Sequence, residues 1–120
     1  MNFVPKNSLG QNFLLNKKII KEIVDLGNIS NLSNIIEVGP GTGNLTEEIL
    51  KRNPKKFTAI EKDEVLSKKL ISKFKTSLCL INNDVLKIEW EKYTGQSIIV
   101  FGNLPYNISA KLLINWIMLN

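Results

Sequence analysis

Four short apolar runs are spread along the chain, and each is followed by a polar loop. They are Ile35–Val38, Phe57–Ile60, Leu78–Ile81 and Ile98–Phe101. Each is too short for a helix and reads as a buried strand. Segments with helical spacing precede the first three. Ile19, Ile20, Ile23, Val24 and Leu26 predict one helix, with Asn16 as its cap and Gly27 at its end. A second runs from Leu45 to Arg52, with Glu47 and Glu48 near its positive end. Asn53-Pro54 stops it. A third carries Val65, Leu66, Leu70, Ile71 and Phe74, and its Lys68, Lys69, Lys73 and Lys75 read as a solvated face. A last helix, from Ile108 to Leu119, shows Leu112, Leu113, Trp116 and Ile117. Strand–helix alternation predicts an α/β fold, a parallel sheet with helices on both faces.

With 120 residues there is room for one domain, and 43% hydrophobic residues suffice for a packed core. The net charge of +5 favours an anionic partner such as nucleic acid. Every basic residue but Arg52 is a lysine, however, and a biased genome produces that composition by itself. There is no His, and the one Cys, Cys79, sits in an apolar run. These facts exclude a disulfide framework, a Cys/His metal site, and Ser-His or Cys-His nucleophilic catalysis. A buried Cys79 thiol and a cytoplasmic location are expected. The sequence has no apolar leader and no run of membrane length.

The loops after the strands carry the chemistry, because open α/β sheets bind ligands at the carboxyl ends of their strands. After the first strand comes Gly39-Pro40-Gly41-Thr42-Gly43, with Asn44 where the dinucleotide fingerprint would place its last glycine. Glycines let a backbone approach a ligand closely, and this departure suits a nucleoside without phosphates. Glu61 follows the second strand, where a carboxylate can accept both ribose hydroxyls. Asp63 and Glu64 stand where they can serve the next helix. Asn82-Asn83-Asp84 follows the third strand. Asp84 can accept from an adenine amine, although such a triplet is also ordinary turn chemistry.

The fourth loop is Gly102-Asn103-Leu104-Pro105-Tyr106. The exocyclic amine of adenine is a poor nucleophile because its lone pair is delocalised into the ring. Accepting hydrogen bonds from both its N–H groups improves it. The Asn103 side-chain carbonyl and the Leu104 backbone carbonyl can supply the two acceptors. Pro105 fixes the local backbone, and Tyr106 can stack on a flipped base. No strong base is needed, so the lack of His is no obstacle.

Ser8–Leu14, Glu37–Thr46, Ala59–Asp63, Asn82–Lys87 and Gly102–Ser109 together resemble the small-subunit ribosomal RNA adenine dimethyltransferases, in order and over nearly the whole chain. The resemblance implies a Rossmann-like class I methyltransferase sheet and S-adenosylmethionine as cofactor. It also implies two adjacent adenines of small-subunit rRNA, within an immature ribosomal subunit, as substrate. Catalytic roles fall to Asn103, Leu104, Pro105 and Tyr106. Cofactor-binding roles fall to Asn12, Leu14, Gly39, Gly41, Glu61, Asp84 and Asn103. No metal and no membrane are expected, and the full-length enzyme is expected to be a monomer. Members continue past the fourth-strand motif into more strands and a helical carboxyl-terminal domain. Residues 1–120 are therefore expected to be the amino-terminal, cofactor-binding portion, truncated after the fourth strand. The alternatives are the large-subunit methyltransferases of macrolide resistance, which share Asn-x-Pro-Tyr, and non-catalytic nucleic-acid-binding relatives. Pro40, Thr42 and Leu104 resemble the small-subunit group more.

Overall fold

The structure, a computed structural model, describes residues 16–93 and 95–102. Asn12, Leu14, Asn103, Leu104, Pro105, Tyr106 and the segment read as a last helix lie outside them. Three helices and four strands follow in order: α1 (Lys17–Asp25), β1 (Asn34–Val38), α2 (Asn44–Lys51), β2 (Lys56–Ile60), α3 (Glu64–Phe74), β3 (Cys79–Ile81) and β4 (Ile98–Gly102). Asn16 caps α1, accepting from the N–H groups of Lys18 and Ile19 at 3.0 and 3.2 Å. Asp63 caps α3 through the Leu66 N–H at 2.9 Å.

The strands form one sheet of order β3-β2-β1-β4 with every pairing parallel. The chain builds outward from β1 to β2 and β3, then crosses to the other side of β1 for β4. That reversal makes the carboxyl ends of β1 and β4 the switch point where such sheets open a ligand crevice. Val38 pairs with Gly102, so the two strands end level.

Alternation along the strands separates two cores. Ile35, Phe57, Ala59 and Phe101 share one with Ile20 and Val24 of α1, Leu45 and Ile49 of α2, and Leu70 and Phe74 of α3. Ile36, Val38, Ile60 and Ile98 share the other with Val85, Ile88, Trp90 and Tyr93. Among the described residues, all three α-helices therefore cover one face. The 3₁₀ turns Val85–Lys87 and Trp90–Tyr93 cover the other.

This asymmetry corrects one expectation. Cys79 is exposed, not a core thiol. It pairs with Thr58, so it shares the thinly covered face, and it stands on the strand at the end of the sheet order. Leu26, Val65 and Ile71 also prove exposed, while Ser67 takes a buried place on α3.

Candidate functional site

The loop after β1 makes two different demands on its glycines. Gly43 has φ +92°, and a Cβ there would lie 2.7 Å from the Phe74 ring. The turn into α2 therefore sits directly against α3. Gly41 has φ +60°, yet a Cβ there would meet nothing within 4 Å. Gly43 is required by packing and conformation together, whereas Gly41 keeps one side of the loop open. Gly39 (φ +67°) donates its N–H to the Ile60 carbonyl at 2.9 Å, which anchors the loop on β2.

Glu61 ties three strand-end loops together. It is buried. Its Oε1 accepts the Gly41 N–H at 3.1 Å, and its Oε2 accepts the Asp63 N–H at 2.9 Å. Its backbone carbonyl accepts from Asn82 Nδ2 at 2.9 Å, from the Asn83 N–H at 3.1 Å and from Ser67 Oγ at 3.3 Å. Its own N–H donates to the Ile81 carbonyl at 2.9 Å. A carboxylate has about four acceptor positions. The two backbone contacts leave one on each oxygen.

Asp84 turns the chain after β3. Its Oδ1 accepts the Leu86 N–H at 2.9 Å, and its own N–H donates to Asn83 Oδ1 at 2.7 Å. The second oxygen stands 3.8 Å from Lys62 Nζ, and the side chain is a quarter exposed. Gly39, Gly41, Glu61 and Asp84 thus arrive at one end of the sheet from three adjacent strands. Gly41 touches Glu61 directly, and Asn82 and Asn83 connect the Asp84 loop to it.

Glu37, which the sequence places in the strand just before the Gly-rich loop, and Asn82, just after the third strand, contribute beyond the site residues expected above. Glu37 lies within β1, fully buried, and accepts a hydrogen bond from Thr46 Oγ1 of α2. Burial pushes its carboxyl up to about 8; the Thr46 hydroxyl opposes that shift and the nearby Glu61 adds to it. The signal was a carboxylate between Ile36 and Val38 in an otherwise apolar strand. The other contributor is Asn82, whose fork onto two carbonyls leaves no trace in an ordinary Asn-Asn-Asp triplet.

This electrostatic setting discriminates between ligands. In a pyrophosphate cradle the loop amides face an anion. Here the Gly41 amide is already given to the carboxylate of Glu61. The arrangement disfavours added negative charge and suits a nucleoside that is neutral or cationic. Among the described residues no group of three or more His, Cys, Asp or Glu side chains could hold a metal ion. Nor is any of their helices long and apolar enough to cross a membrane.

Comparison with known proteins decides the family. The sequence profile of the ribosomal RNA adenine dimethylases matches residues 2–120. The chain belongs to that family. It is 47% identical over 113 residues to ribosomal RNA small subunit methyltransferase A of Pelagibacter ubique, covering 94% of this chain and 43% of that protein. Against the protein of the same name from Persephonella marina it is 40% identical over 116 residues, covering 95% and 44%. The chain thus spans less than half the length of these curated relatives.

Two solved structures carry the same architecture. The 23S rRNA methyltransferase ErmE matches with a TM-score of 0.72 at 27% identity, over 84% of this chain and 40% of that one. A dimethyladenosine transferase from Plasmodium falciparum matches with a TM-score of 0.71 at 26% identity, over 86% and 37%. The parallel sheet of this dimethylase-family chain is therefore the Rossmann-like methyltransferase sheet expected from its sequence.

Proposed function

We propose that the protein transfers methyl groups from S-adenosylmethionine to the exocyclic amines of two adjacent adenines in small-subunit rRNA, within an immature subunit. It would act in the cytoplasm during ribosome biogenesis, as a monomer in its full-length form. Residues 1–120 form its cofactor-binding part. The single observation that carries the cofactor reading is the buried Glu61, bound to the amide of the Gly-rich loop with one acceptor position free on each oxygen.

The described residues fit that cofactor. Glu61 would take the two ribose hydroxyls on its free acceptor positions. The second oxygen of Asp84 would take the adenine amine. Gly41 leaves the loop backbone open on one side, and the Glu61 carboxylate bound to that loop suits a positively charged donor. Asn12 and Leu14 would close over its methionine end. When bound, the cofactor supplies an electrophilic methyl group on a sulfonium.

Asn103 begins one residue beyond β4 in the sequence. Its side-chain carbonyl and the Leu104 carbonyl would hold both N–H groups of the target amine. This draws the nitrogen lone pair out of the ring and aims it. Pro105 sets the backbone of that clamp, and Tyr106 stacks on the base. The proton lost by the alkylated amine is acidic enough for water to take, so no histidine is needed.

The relatives named for the small subunit favour that substrate over large-subunit rRNA. The test is transfer of labelled methyl to immature small subunits and, in parallel, to large subunits, with the product nucleosides separated afterwards. Dimethyladenosine in small-subunit rRNA is the expected product. Asn103→Ala should lower the rate by about 10²–10³. Label confined to large-subunit rRNA would overturn the substrate, and rRNA retention without transfer would overturn the enzyme reading.

A further inference from the structure

We propose that Asn82 is a positioning residue for the nucleoside site, setting the ribose acceptor and the adenine-side loop jointly. This inference rests on the cofactor reading of the strand ends given above. The side-chain nitrogen of Asn82 donates to the Glu61 carbonyl at 2.9 Å and to the Lys62 carbonyl at 3.1 Å. A primary amide carries two N–H groups on one nitrogen, so it can hold two successive carbonyls at once. No other side chain this short offers that fork without carrying a charge. Asn82 directly follows β3, and Asp84 stands two residues further on. The fork therefore fixes the distance between the loop that carries Asp84 and the loop that carries Glu61.

The direction of action follows from the neighbours of Glu61. Its carboxylate accepts the Gly41 and Asp63 amides, and its carbonyl is gripped by Asn82, by the Asn83 N–H and by Ser67. Without the Asn82 fork, the turn Glu61-Lys62-Asp63 loses both contacts from that side chain to the β3 loop. The Glu61 backbone then tilts, and its carboxylate with it. Asn82 touches neither ribose nor base in this account. Its effect on binding passes through Glu61.

The experiment is a double-mutant cycle read by calorimetric titration with S-adenosylhomocysteine. The variants are Asn82→Asp, Glu61→Ala and the pair, with thermal midpoints measured alongside. Asn82→Asp keeps the shape and puts oxygen where the two N–H groups were. It should weaken binding roughly five- to twentyfold, the scale for losing such hydrogen bonds. The KM for the methyl donor should rise by the same factor while kcat at saturating donor stays at the parent value. The paired variant should bind no worse than Glu61→Ala alone, because both changes act through one carboxylate. Should Asn82→Asp fail to fold, Asn82→Ala, which leaves the carbonyls free to bind water, completes the cycle. Parent affinity for the Asn82 variant, or losses that simply add, would overturn the positioning role while leaving the cofactor reading intact. Parent affinity for Glu61→Ala would overturn the cofactor reading itself.

Discussion

Glu37 is the residue whose chemistry departs furthest from its ordinary state. Its carboxyl lies inside the sheet on the hydroxyl of Thr46, and burial raises it to about 8. A carboxyl raised in the folded state holds a proton that the unfolded chain releases near its ordinary value of 4.5. Its contribution to stability is complete below that value and is lost as pH climbs to about 8. Glu37→Gln keeps an acceptor for Thr46 and removes the titration. Between about pH 5 and 8.5 the parent should lose several degrees of Tm more than this variant does, measured by calorimetric scans. Parallel pH profiles would show that Glu37 is ionised throughout. Glu61→Ala should weaken S-adenosylmethionine binding by about 1–3 kcal/mol, the range for hydrogen bonds to a charged acceptor. Calorimetry on the folded variant checks it. Glu61 was legible in the sequence as an acid after a strand. Its burial and its grip on three loops were not, because Gly41, Asn82 and Asn83 reach it only once the sheet is paired. Cys79 misled for a related reason: an apolar run does not say which face of the sheet is thinly covered.

At the scale of elements, the four strands lie where the apolar runs placed them, within a residue at each end. The alternation of apolar runs and helical spacing was enough to find them. Helix faces were less legible. Val65 and Ile71 share the helical spacing of α3 yet face outward, while the small Ser67 is buried. Spacing alone does not reveal that Ser67 turns inward, with its hydroxyl on the Glu61 carbonyl. The turn after α1 shows the same limit: Asn28, not Gly27, takes the left-handed conformation, with φ +48°. The contact between the Gly-rich turn and α3 gives a paired prediction. Gly43→Ala combines a disfavoured φ with a clash on Phe74 and should cost about 2–4 kcal/mol. Gly41→Ala has only the φ penalty, about 1–2 kcal/mol, with its methyl group in open space. Urea unfolding of both variants measures the difference. Equal losses would mean that the turn does not pack on α3 as described.

For the molecule as a whole, the order β3-β2-β1-β4 was the part least accessible from sequence. A parallel sheet followed from the alternation of elements. Which strand lies beside β1 depends on pairings between distant segments, such as Val38 with Gly102, that no local pattern encodes. That order sets the carboxyl ends of β1 and β4 side by side, at the point where the direction of building reverses. The lysine excess gives a net charge of +5, and the lysines among the described residues are exposed, which supplies attraction without sequence information. Affinity for rRNA should therefore fall by at least about tenfold between about 50 and 200 mM salt. Filter binding at several salt concentrations checks this, and a flat profile would deny the lysines any part in holding RNA.

If the cofactor reading holds, the strand ends of β1, β2 and β3 form one nucleoside site organised around Glu61. A crystal structure with S-adenosylhomocysteine tests it most directly. Both ribose hydroxyls should lie about 2.6–3.0 Å from the Glu61 carboxylate, with the adenine amine at hydrogen-bond distance from Asp84. The Gly41 and Asp63 amides should keep their hold on Glu61. A ribose bound elsewhere, with the Glu61 oxygens meeting only those two amides, would contradict it.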